Sequence, residues 1–331
     1  MNWLITGGCG FIGRNLIHFL LEDEESHAIR VVDNLTVGNR ESLQMVTSFS
    51  ERKASRTATN FPKKGTVELV VDDVLNGGNA LKHAQNADVI VHLAANTGVA
   101  PSVEDPRHDC TTNVLGTLNY LEAARHNEVK RFILASSGAP LGEVEPPIHE
   151  ELAPHPKSPY GASKLAGEGY CSAYYGTFGV ETVALRFGNV YGPFSSHKSS
   201  VVAKFIRRAL EGKPLEIYGD GTQTRDFIYT EDLVDAIFKA ATISGIGGEK
   251  FQIATNKETT VLELTDMLLD VLKENGITNV QVKHGPQRQG DVQRNYSDTS
   301  KAEKELGWRS NYQLKKGLFE SVRWFFDKEN T

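Results

Sequence analysis

The feature that most constrains the fold of this chain is a glycine-rich turn near residue 1. The apolar run at residues 3–6 predicts a buried first strand, and the amphipathic run at residues 15–21 predicts a helix. Between them, Gly7, Gly10 and Gly13 are spaced G-x-x-G-x-x-G. Strand, glycine turn and helix in this order are typical of a dinucleotide-binding turn, in which the backbone approaches a pyrophosphate closely. The alternative is a glycine-rich turn without a ligand.

An acidic residue follows the second predicted strand. This strand covers residues 28–33 and ends in Asp33, about twenty residues after the last glycine of the turn. A carboxylate here accepts hydrogen bonds from ribose hydroxyls and repels a 2′-phosphate, which favours NAD over NADP. Asn34 stands where an NADP-binding chain would more comfortably carry arginine, although Arg40 lies nearby. The alternative for Asp33 is a turn residue at the end of a strand.

Composition and charge limit the partners of the chain. The 331 residues carry a net charge of −6, which argues against a nucleic acid or an acidic membrane surface. Cys9, Cys110 and Cys171 lack the spacing of a disulfide framework or a metal site, so we expect no metal and a reducing, cytoplasmic location. No signal peptide is visible, and no apolar run approaches the roughly 20 residues of a membrane span.

Strand and helix patterns alternate along the chain. Further strands are predicted at residues 67–74, 87–95, 130–137 and 180–186, and helices at 113–126 and 160–175. This alternation predicts an α/β fold with a doubly wound parallel sheet and ligands at the carboxyl ends of its strands. The polar residues 39–64 are interpreted as a surface insertion or mobile loop.

Tyr160 and Lys164 lie four residues apart on the second of these helices, so their side chains share one face. A positive charge beside the tyrosine hydroxyl favours the phenolate, and we therefore expect Lys164 to lower the pKa of Tyr160. The hydroxyl then becomes a general acid and base near neutral pH. Alone, the spacing is more often that of a solvated helix face.

Taken together, these residues resemble the extended short-chain dehydrogenase/reductase family, in the branch that acts on nucleotide sugars. The resemblance covers nearly the whole chain and rests on the order and spacing of many short motifs. After the glycine turn and Asp33 these are Asp73-Val74, residues 92–95, Asn113-Val114-x-Gly116-Thr117, Ser136-Ser137, Tyr160-x-x-x-Lys164, and residues 186–193, 218–221, 224–227, 290–292 and 306–308.

The resemblance implies a role for each matching residue. The implied catalytic residues are Ser137, which bonds the sugar hydroxyl, Tyr160, which takes its proton, and Lys164, which holds the nicotinamide ribose. The implied cofactor-binding residues are Gly7, Gly10, Phe11, Ile12, Gly13, Asp33, Asn34, Asp73, Val74, Leu93, Ala94, Ala95, Asn113, Ser136, Tyr160, Lys164, Phe187 and Val190, and the cofactor is NAD. The implied substrate-binding residues are Ser137, Asn189, Val202, Tyr218, Arg225, Arg288 and Asp291. The alternatives are surface ion pairs for Arg225 and Arg288 and a core position for Tyr218.

The chain departs from the family after Ser137, where Gly138-Ala139-Pro140-Leu141-Gly142 replaces a stretch that usually ends in Val-Tyr-Gly. The 4,6-dehydratases of the family carry an Asp-Glu pair at the first two of these positions, and decarboxylases and 3,5-epimerase/reductases carry a glutamate or a cysteine nearby. Glycine and alanine transfer no protons. Glu143 and Glu145 are expected to point to solvent.

These observations indicate an NAD-dependent nucleotide-sugar 4-epimerase, with a UDP-hexose, UDP-N-acetylhexosamine or UDP-hexuronate as substrate. The alternatives are a 4-dehydrogenase or reductase, a 4,6-dehydratase, and a non-catalytic NAD-binding regulatory protein. Residues 1–185 and about 226–256 are expected to form the NAD-binding domain, and residues 186–225 and 257–331 the smaller, discontinuous nucleotide-sugar-binding domain. By resemblance, the helices at 113–126 and 160–175 would form a four-helix homodimer interface.

Overall fold

The structure is a computed structural model that describes residues 1–53, 60–287 and 292–329. The chain divides into two compact units. The first unit contains residues 1–143, 150–186 and 234–251, and the second contains residues 144–149, 187–233 and 252–331, of which only the described ones are discussed.

The first part of the chain alternates strands and helices. Its elements are β1 (Asn2–Thr6), α1 (Phe11–Glu22), β2 (Ala28–Asp33), α2 (Arg40–Gln44), β3 (Phe49–Lys53), β4 (Thr66–Val71), α3 (Gly77–His83), β5 (Val89–His92), α4 (Val99–Glu104), α5 (Pro106–Cys110), a π-helical turn (Thr111–Leu115), α6 (Gly116–His126), β6 (Arg131–Ser137), a 3₁₀ turn (Ala139–Leu141), α7 (Pro159–Phe178) and β7 (Thr182–Phe187).

The rest of the chain has shorter strands. Its elements are β8 (Asn189–Tyr191), α8 (Val201–Leu210), β9 (Leu215–Tyr218), β10 (Thr224–Arg225), β11 (Phe227–Tyr229), α9 (Thr230–Thr242), β12 (Lys250–Ile253), β13 (Thr259–Thr260), α10 (Val261–Glu274), β14 (Val282–Gly285), α11 (Ser300–Leu306) and α12 (Leu314–Glu329).

Eight of the described strands form one sheet in the order β12-β7-β6-β5-β1-β2-β4-β3. The pairings β1 with β2, β1 with β5, β2 with β4, β3 with β4 and β5 with β6 are all parallel. β1, β2 and β5 are apolar and buried along almost their whole length, as expected for strands covered on both faces. The strand order reverses direction between β1 and β5, which is where doubly wound sheets bind ligands. The predicted doubly wound α/β fold is confirmed.

The second unit has its own apolar core. Side chains from α8, α10 and α12 pack with those of β9 and β11, and the buried members include Phe205, Ile206, Leu264 and Leu268. The short strands of this part of the chain pair two by two, β8 with β11, β9 with β14 and β10 with β13. Thr260 caps α10: its hydroxyl accepts from the Glu263 backbone N–H while the Glu263 carboxylate accepts from the Thr260 N–H.

The interpretation of residues 39–64 as a surface insertion or mobile loop is wrong for residues 40–53. This segment forms α2 and the edge strand β3, which pairs with β4 in parallel. Its polar composition reflects an edge position: Arg52 pairs with Glu68 of β4, and Arg40 pairs with Glu51. Residues 54–59 lie outside the described part of the chain.

Candidate active site

The glycine turn leads from β1 into α1 and leaves no room for side chains at Gly7 and Gly13. A Cβ at Gly7 would lie 2.8 Å from the Ala94 backbone nitrogen, and Gly7 has a φ of +69°. A Cβ at Gly13 would lie 2.5 Å from the Gly8 Cα. Gly10 is the N-cap of α1, and no side chain caps this helix or places an acidic group in its first turn. The N–H groups of Phe11, Ile12 and Gly13 therefore lie in a first turn suited to an anion.

Asp33 lies at the end of β2, beside the same turn. Its Oδ2 accepts from the Cys9 N–H at 2.9 Å, and its Oδ1 accepts from the Leu35 N–H at 2.8 Å. Burial raises the pKa of Asp33, whereas these backbone hydrogen bonds lower it. Each oxygen still has a lone pair for a hydroxyl donor. Asn34 donates to Asp73 at 2.8 Å, which joins the ends of β2 and β4.

The ends of β4 and β5 leave backbone and small side chains accessible. Val74 is buried, and a Cβ on Gly116 would lie 2.8 Å from its Cγ2 atom. Leu93, Ala94 and Ala95 follow β5 and are half-buried. The N–H groups of Leu93 and Ala94 donate to the carbonyl and hydroxyl oxygens of Thr6, each at 3.2 Å.

These features fit a bound dinucleotide. The turn excludes side chains and presents a helix N-terminus without a cap, and a carboxylate stands at the end of the next strand. All three lie at the carboxyl edge of the sheet beside its reversal point, where a pyrophosphate and a ribose would be held.

Tyr160 and Lys164 lie in the first turns of α7. Ser158 caps this helix by accepting from the Gly161 N–H at 3.1 Å, and Pro159 follows at the first helical position. The Ser137 hydroxyl, at the end of β6, lies close enough to the Tyr160 hydroxyl to influence its pKa. The Lys164 ammonium donates to the Ala135 carbonyl at 2.9 Å and lies 5.9 Å from the centroid of the Tyr160 ring. The structure thus brings the three predicted catalytic residues together.

The expectation that Tyr160 has a lowered pKa is wrong for the protein alone. Burial raises the pKa of Tyr160 above its usual value and outweighs the effect of the Ser137 hydroxyl, which lowers it. Burial also lowers the pKa of Lys164 to about 8, so that this side chain is only partly charged in mildly alkaline solution. The sequence shows that the two side chains share a face but not that both are desolvated.

Asn113 joins three segments of this region. It lies in the π-helical turn between α5 and α6, a helix irregularity often found at functional sites. Its Oδ1 accepts from the Asn96 N–H at 2.8 Å. Its Nδ2 lies 3.0 Å from the Asn96 carbonyl, from Asp109 Oδ1 and from Ser163 Oγ. The loop after β5 is thereby tied to α7.

Ser136 has a different neighbour from Ser137. Its hydroxyl donates to Glu168 Oε1 at 2.5 Å, and the same carboxylate accepts two hydrogen bonds from the Arg186 guanidinium at 2.7 and 2.8 Å. All three side chains are buried. This arrangement is a buried ion pair between α7 and β7, in which two of the three guanidinium nitrogens of Arg186 bind the carboxylate.

The sequence analysis did not identify two residues that lie near Tyr160 and Lys164. Glu168 lies four residues after Lys164, and Asp109 lies four residues before Asn113. Both carboxylates raise the pKa of Lys164. The only sequence pattern that could have pointed to them is this i, i+4 spacing from residues already singled out.

The second unit contains a cavity of about 210 Å³. It is lined by five residues that the resemblance assigns to cofactor or substrate binding: Asn189, Val190, Val202, Tyr218 and Arg225. The other lining residues are Tyr191, Ser199, Ser200, Val201, Lys204, Phe205, Glu216, Ile217, Gln223, Phe227 and Val261.

Polar contacts hold several walls of this cavity. Tyr218 is half-buried, and its hydroxyl accepts from the Lys204 ammonium at 3.0 Å, so Tyr218 is not a plain core residue. Arg225 Nη1 donates to the carbonyls of Thr224 and Val292 at 2.6 and 2.7 Å.

One other predicted residue lies outside this cavity. Phe187 ends β7 and is half-buried but is not part of the cavity lining. Arg288 and Asp291 lie outside the described residues.

The atypical stretch after Ser137 forms a 3₁₀ turn over Ala139–Leu141. Pro140 and Leu141 are buried, whereas a Cβ on Gly138 would meet nothing within 4 Å. Glu143 and Glu145 are exposed, as predicted, and Glu145 pairs with Arg294. The positions that follow Ser137 therefore place open space and a methyl group beside this serine.

Comparison with known proteins places this geometry in a family. The NAD dependent epimerase/dehydratase family matches residues 3–254. A UDP-glucose 4-epimerase from Mycolicibacterium smegmatis is 34% identical over 333 residues, which is 99% of each chain.

Solved structures of epimerases and dehydratases are similar to this chain over almost its whole length. A UDP-glucose 4-epimerase from Thermotoga maritima, solved with UDP-glucose, superposes with a TM-score of 0.86 at 32% identity and covers 99% of this chain and 100% of its own. A dTDP-glucose 4,6-dehydratase from Streptomyces venezuelae, solved with NAD and TYD bound, has a TM-score of 0.86 at 30% identity and covers 100% of this chain and 98% of its own.

Proposed function

We propose that this chain, which belongs to the NAD-dependent epimerase/dehydratase family, is a nucleotide-sugar 4-epimerase. The observation that carries the proposal is the cluster of Ser137, Tyr160 and Lys164 beside positions 138 and 139, which have no group that transfers protons. Such a site can oxidise and reduce one sugar carbon, but it lacks the acid and base that remove water at this position. The likeness to UDP-glucose 4-epimerases over almost the whole chain supports the same reading.

The protein groups supply proton transfer and orientation. Bound NAD supplies the acceptor, and later the donor, of a hydride. Tyr160 as the phenolate removes the proton from the C4 hydroxyl of the sugar, while Ser137 hydrogen bonds to the same oxygen. After the 4-keto sugar has turned over in the site, Tyr160 returns the proton to the C4 oxygen. Charged Lys164 stabilises the phenolate and contacts the nicotinamide ribose.

The two units have separate binding roles in this proposal. In the first unit, the glycine turn, Asp33, Asn34, Asp73, Val74, residues 93–95, Asn113 and Ser136 hold NAD. In the second unit, the 210 Å³ cavity holds the nucleotide diphosphate through Asn189, Val202, Tyr218 and Arg225. The resemblance further assigns cofactor contacts to Phe187 and Val190 and substrate contacts to Arg288 and Asp291. A UDP-sugar is the proposed substrate because the 4-epimerase relatives act on UDP-glucose by name.

The 4,6-dehydratase is the second candidate, because a dTDP-glucose 4,6-dehydratase is as similar in structure as the epimerase. Mass spectrometry of a turnover mixture separates the two. The purified protein is incubated with NAD and with UDP-, GDP- and dTDP-sugars, and the products are resolved by NMR. We expect an epimerised sugar of unchanged mass, whereas the loss of one water would show that the acid and base come from elsewhere and would overturn the epimerase.

Absorbance at 340 nm in the same mixtures separates the remaining alternatives. An epimerase returns each hydride and accumulates no NADH, whereas a 4-dehydrogenase accumulates NADH and releases a keto sugar. A non-catalytic NAD-binding protein leaves both the absorbance and the sugar unchanged. Tyr160→Phe is the matched control, because it keeps the ring and removes only the hydroxyl.

We further propose that the chain forms a homodimer through α6 and α7. Leu115, just before α6, and Tyr170 and Phe178 of α7 are large apolar side chains that remain substantially exposed in the single chain. Sedimentation of the unmodified protein and of a Leu115→Glu, Tyr170→Glu variant tests this, and we expect a dimer that the variant converts to monomer. A monomer in both cases would contradict it.

Among the described residues, no helix is long and apolar enough to cross a membrane.

A further inference from the structure

A buried carboxylate without a complete set of partners lies beside the catalytic helix. Asp109, in α5, is 0% exposed. Its Oδ1 accepts from Asn113 Nδ2 at 3.0 Å, but its Oδ2 is buried and has no hydrogen-bond donor among the described residues. An ionised carboxylate in such a place is costly unless a nearby positive charge offsets the burial.

A chain of hydrogen bonds leads from Asp109 to the catalytic turn of α7. Asn113 Nδ2, which contacts Asp109, also lies 3.0 Å from Ser163 Oγ. Ser163 Oγ in turn donates to the Tyr160 carbonyl at 3.1 Å. Since Ser163 directly precedes Lys164, this chain ends on the turn that carries both predicted proton-transfer groups.

The Lys164 ammonium is a positive charge close enough to Asp109 to be influenced by it. Asp109 raises the pKa of Lys164 against the larger lowering effect of burial, and it also raises the pKa of Tyr160. Glu168 raises the pKa of Lys164 as well, but both of its oxygens already accept from Arg186.

A further titratable group near Lys164, the His92 imidazole, contributes no charge. His92 of β5 is fully buried, and burial, together with the nearby Lys164 charge, lowers its pKa to about 3. It is therefore neutral over the range in which Lys164 titrates. Asp109 is thus the carboxylate near Lys164 whose charge is not already held by a guanidinium.

We propose that Asp109 is a positioning residue that holds the first turns of α7 through Asn113 and Ser163, and that its buried charge sets the pH range in which Tyr160 and Lys164 work together. The inference rests on the roles proposed above for these two residues. It adds a third element, α5, to a site otherwise built on β6 and α7.

The sign of the effect is the same for both groups. Catalysis needs deprotonated Tyr160 together with protonated Lys164, so the two pKa values together set the two limbs of a plot of activity against pH. Asp109 raises both pKa values, and removal of its charge lowers both. The whole bell-shaped profile then moves to lower pH, whereas simple damage to the fold lowers its height without moving it.

The test uses Asp109→Asn, which keeps an oxygen that accepts from Asn113 but removes the charge. The matched control is Asp232→Asn, a buried carboxylate of the second unit that accepts from the backbone N–H groups of Asn311 and Tyr312. Two readouts are taken: kcat/KM for epimerisation against pH, and an NMR titration of ¹³Cε-lysine in protein without substrate. The Lys164 resonance is identified by its loss in Lys164→Met.

We expect Asp109→Asn to lower the midpoint of the Lys164 titration by roughly one pH unit, the usual size of a neighbouring-charge effect. Both limbs of its activity profile should move the same way, and those of Asp232→Asn should stay in place. An unmoved Lys164 titration would overturn the role of the charge, whether or not the protein is an epimerase. A shifted titration in a protein that converts no sugar would support this role and contradict the proposed function instead.

A second variant tests the positioning role separately. Ser163→Ala interrupts the hydrogen-bond chain without a change of charge. We expect kcat to fall about tenfold or more with KM unchanged and with both pH limbs in place, since a misplaced catalytic turn costs rate more than binding. An unaltered kcat would overturn the positioning role, and this measurement remains decisive if Asp109→Asn does not fold.

Discussion

The proposed catalytic cluster of the first unit and the cavity of the second unit differ in how deeply their polar side chains are buried. In the catalytic cluster, Lys164 and Asp109 are 5% and 0% exposed, and burial is the largest influence on the pKa of both Tyr160 and Lys164. In the cavity, Lys204, Tyr218 and Arg225 are half-buried, and their polar groups bond to a neighbouring hydroxyl or to carbonyl oxygens.

The contrast separates two ways of using a polar group. A desolvated group responds strongly to one nearby charge, because the surroundings screen that charge poorly. A half-exposed group keeps its ordinary charge and contributes through the geometry of its hydrogen bonds. Substitutions in the first region should therefore change rate and pH dependence, and substitutions in the second should change KM.

The largest expected effect is that of Tyr160→Phe. This change removes the hydroxyl that transfers the proton while it keeps the ring, so kcat should fall by roughly 10²- to 10⁴-fold, as is typical for the loss of a general acid or base. NAD binding, measured by fluorescence titration, should hardly change. Near-normal turnover would mean that another group moves the proton. It would also contradict the expectation that substitutions in the proposed catalytic cluster change the rate.

Arg225→Ala should have the largest effect in the second region. The change removes a cation and leaves the carbonyls of Thr224 and Val292 without this donor. We expect KM to rise roughly tenfold to a hundredfold with kcat largely kept, because charge-assisted hydrogen bonds contribute about 1.5–3 kcal/mol. Thermal unfolding is measured in parallel, so that a loss of stability is not mistaken for a loss of affinity. A fall in kcat at unchanged KM would contradict the division of roles.

Asp33→Ala sharpens the comparison, because Asp33 is a buried group that is expected to bind and not to react. Its carboxylate would accept from the ribose hydroxyls of NAD and repel the 2′-phosphate of NADP. The unmodified protein should bind NAD much more tightly than NADP, and the substitution should narrow that ratio by about tenfold or more, the size of one or two hydrogen bonds to a charged group. Isothermal titration with both dinucleotides measures it, and equal affinities in the unmodified protein would remove the role of Asp33.

The fold and the positions of the candidate site residues could be predicted because their patterns are local. The glycine turn, the acid at the end of β2 and the spacing of Tyr160 and Lys164 each depend on a few consecutive residues, and the structure places them as expected at the edge of the sheet. The parallel sheet followed from buried apolar strands that alternate with helices.

Other features depend on tertiary contacts that no short pattern records. The edge strand β3 looks polar in sequence because its charged side chains pair with the neighbouring strand, as Arg52 does with Glu68. The raised pKa of Tyr160 results from burial under segments remote in sequence, and a neighbouring lysine gives no warning of it. Asp109 is one more acidic residue in a helix until the structure shows that it is buried.

The smallest expected effect is that of Tyr218→Phe, the same loss of a hydroxyl as in Tyr160→Phe but in the other region. In the cavity this hydroxyl accepts a hydrogen bond from Lys204, whose ammonium also lies 4.9 Å from the centre of the ring. The ring and its contact with the cation survive the change, and the half-exposed ammonium can turn to water instead, so little free energy is lost. KM should therefore rise only about two- to fivefold, within the roughly 0.5–1 kcal/mol of an exposed hydrogen bond, with no change in kcat or in either pH limb. Steady-state kinetics of the two phenylalanine variants, measured side by side, show how much the effect of a tyrosine hydroxyl depends on its surroundings. If kcat fell in Tyr218→Phe as much as in Tyr160→Phe, the two regions would not have the separate roles in rate and binding proposed here.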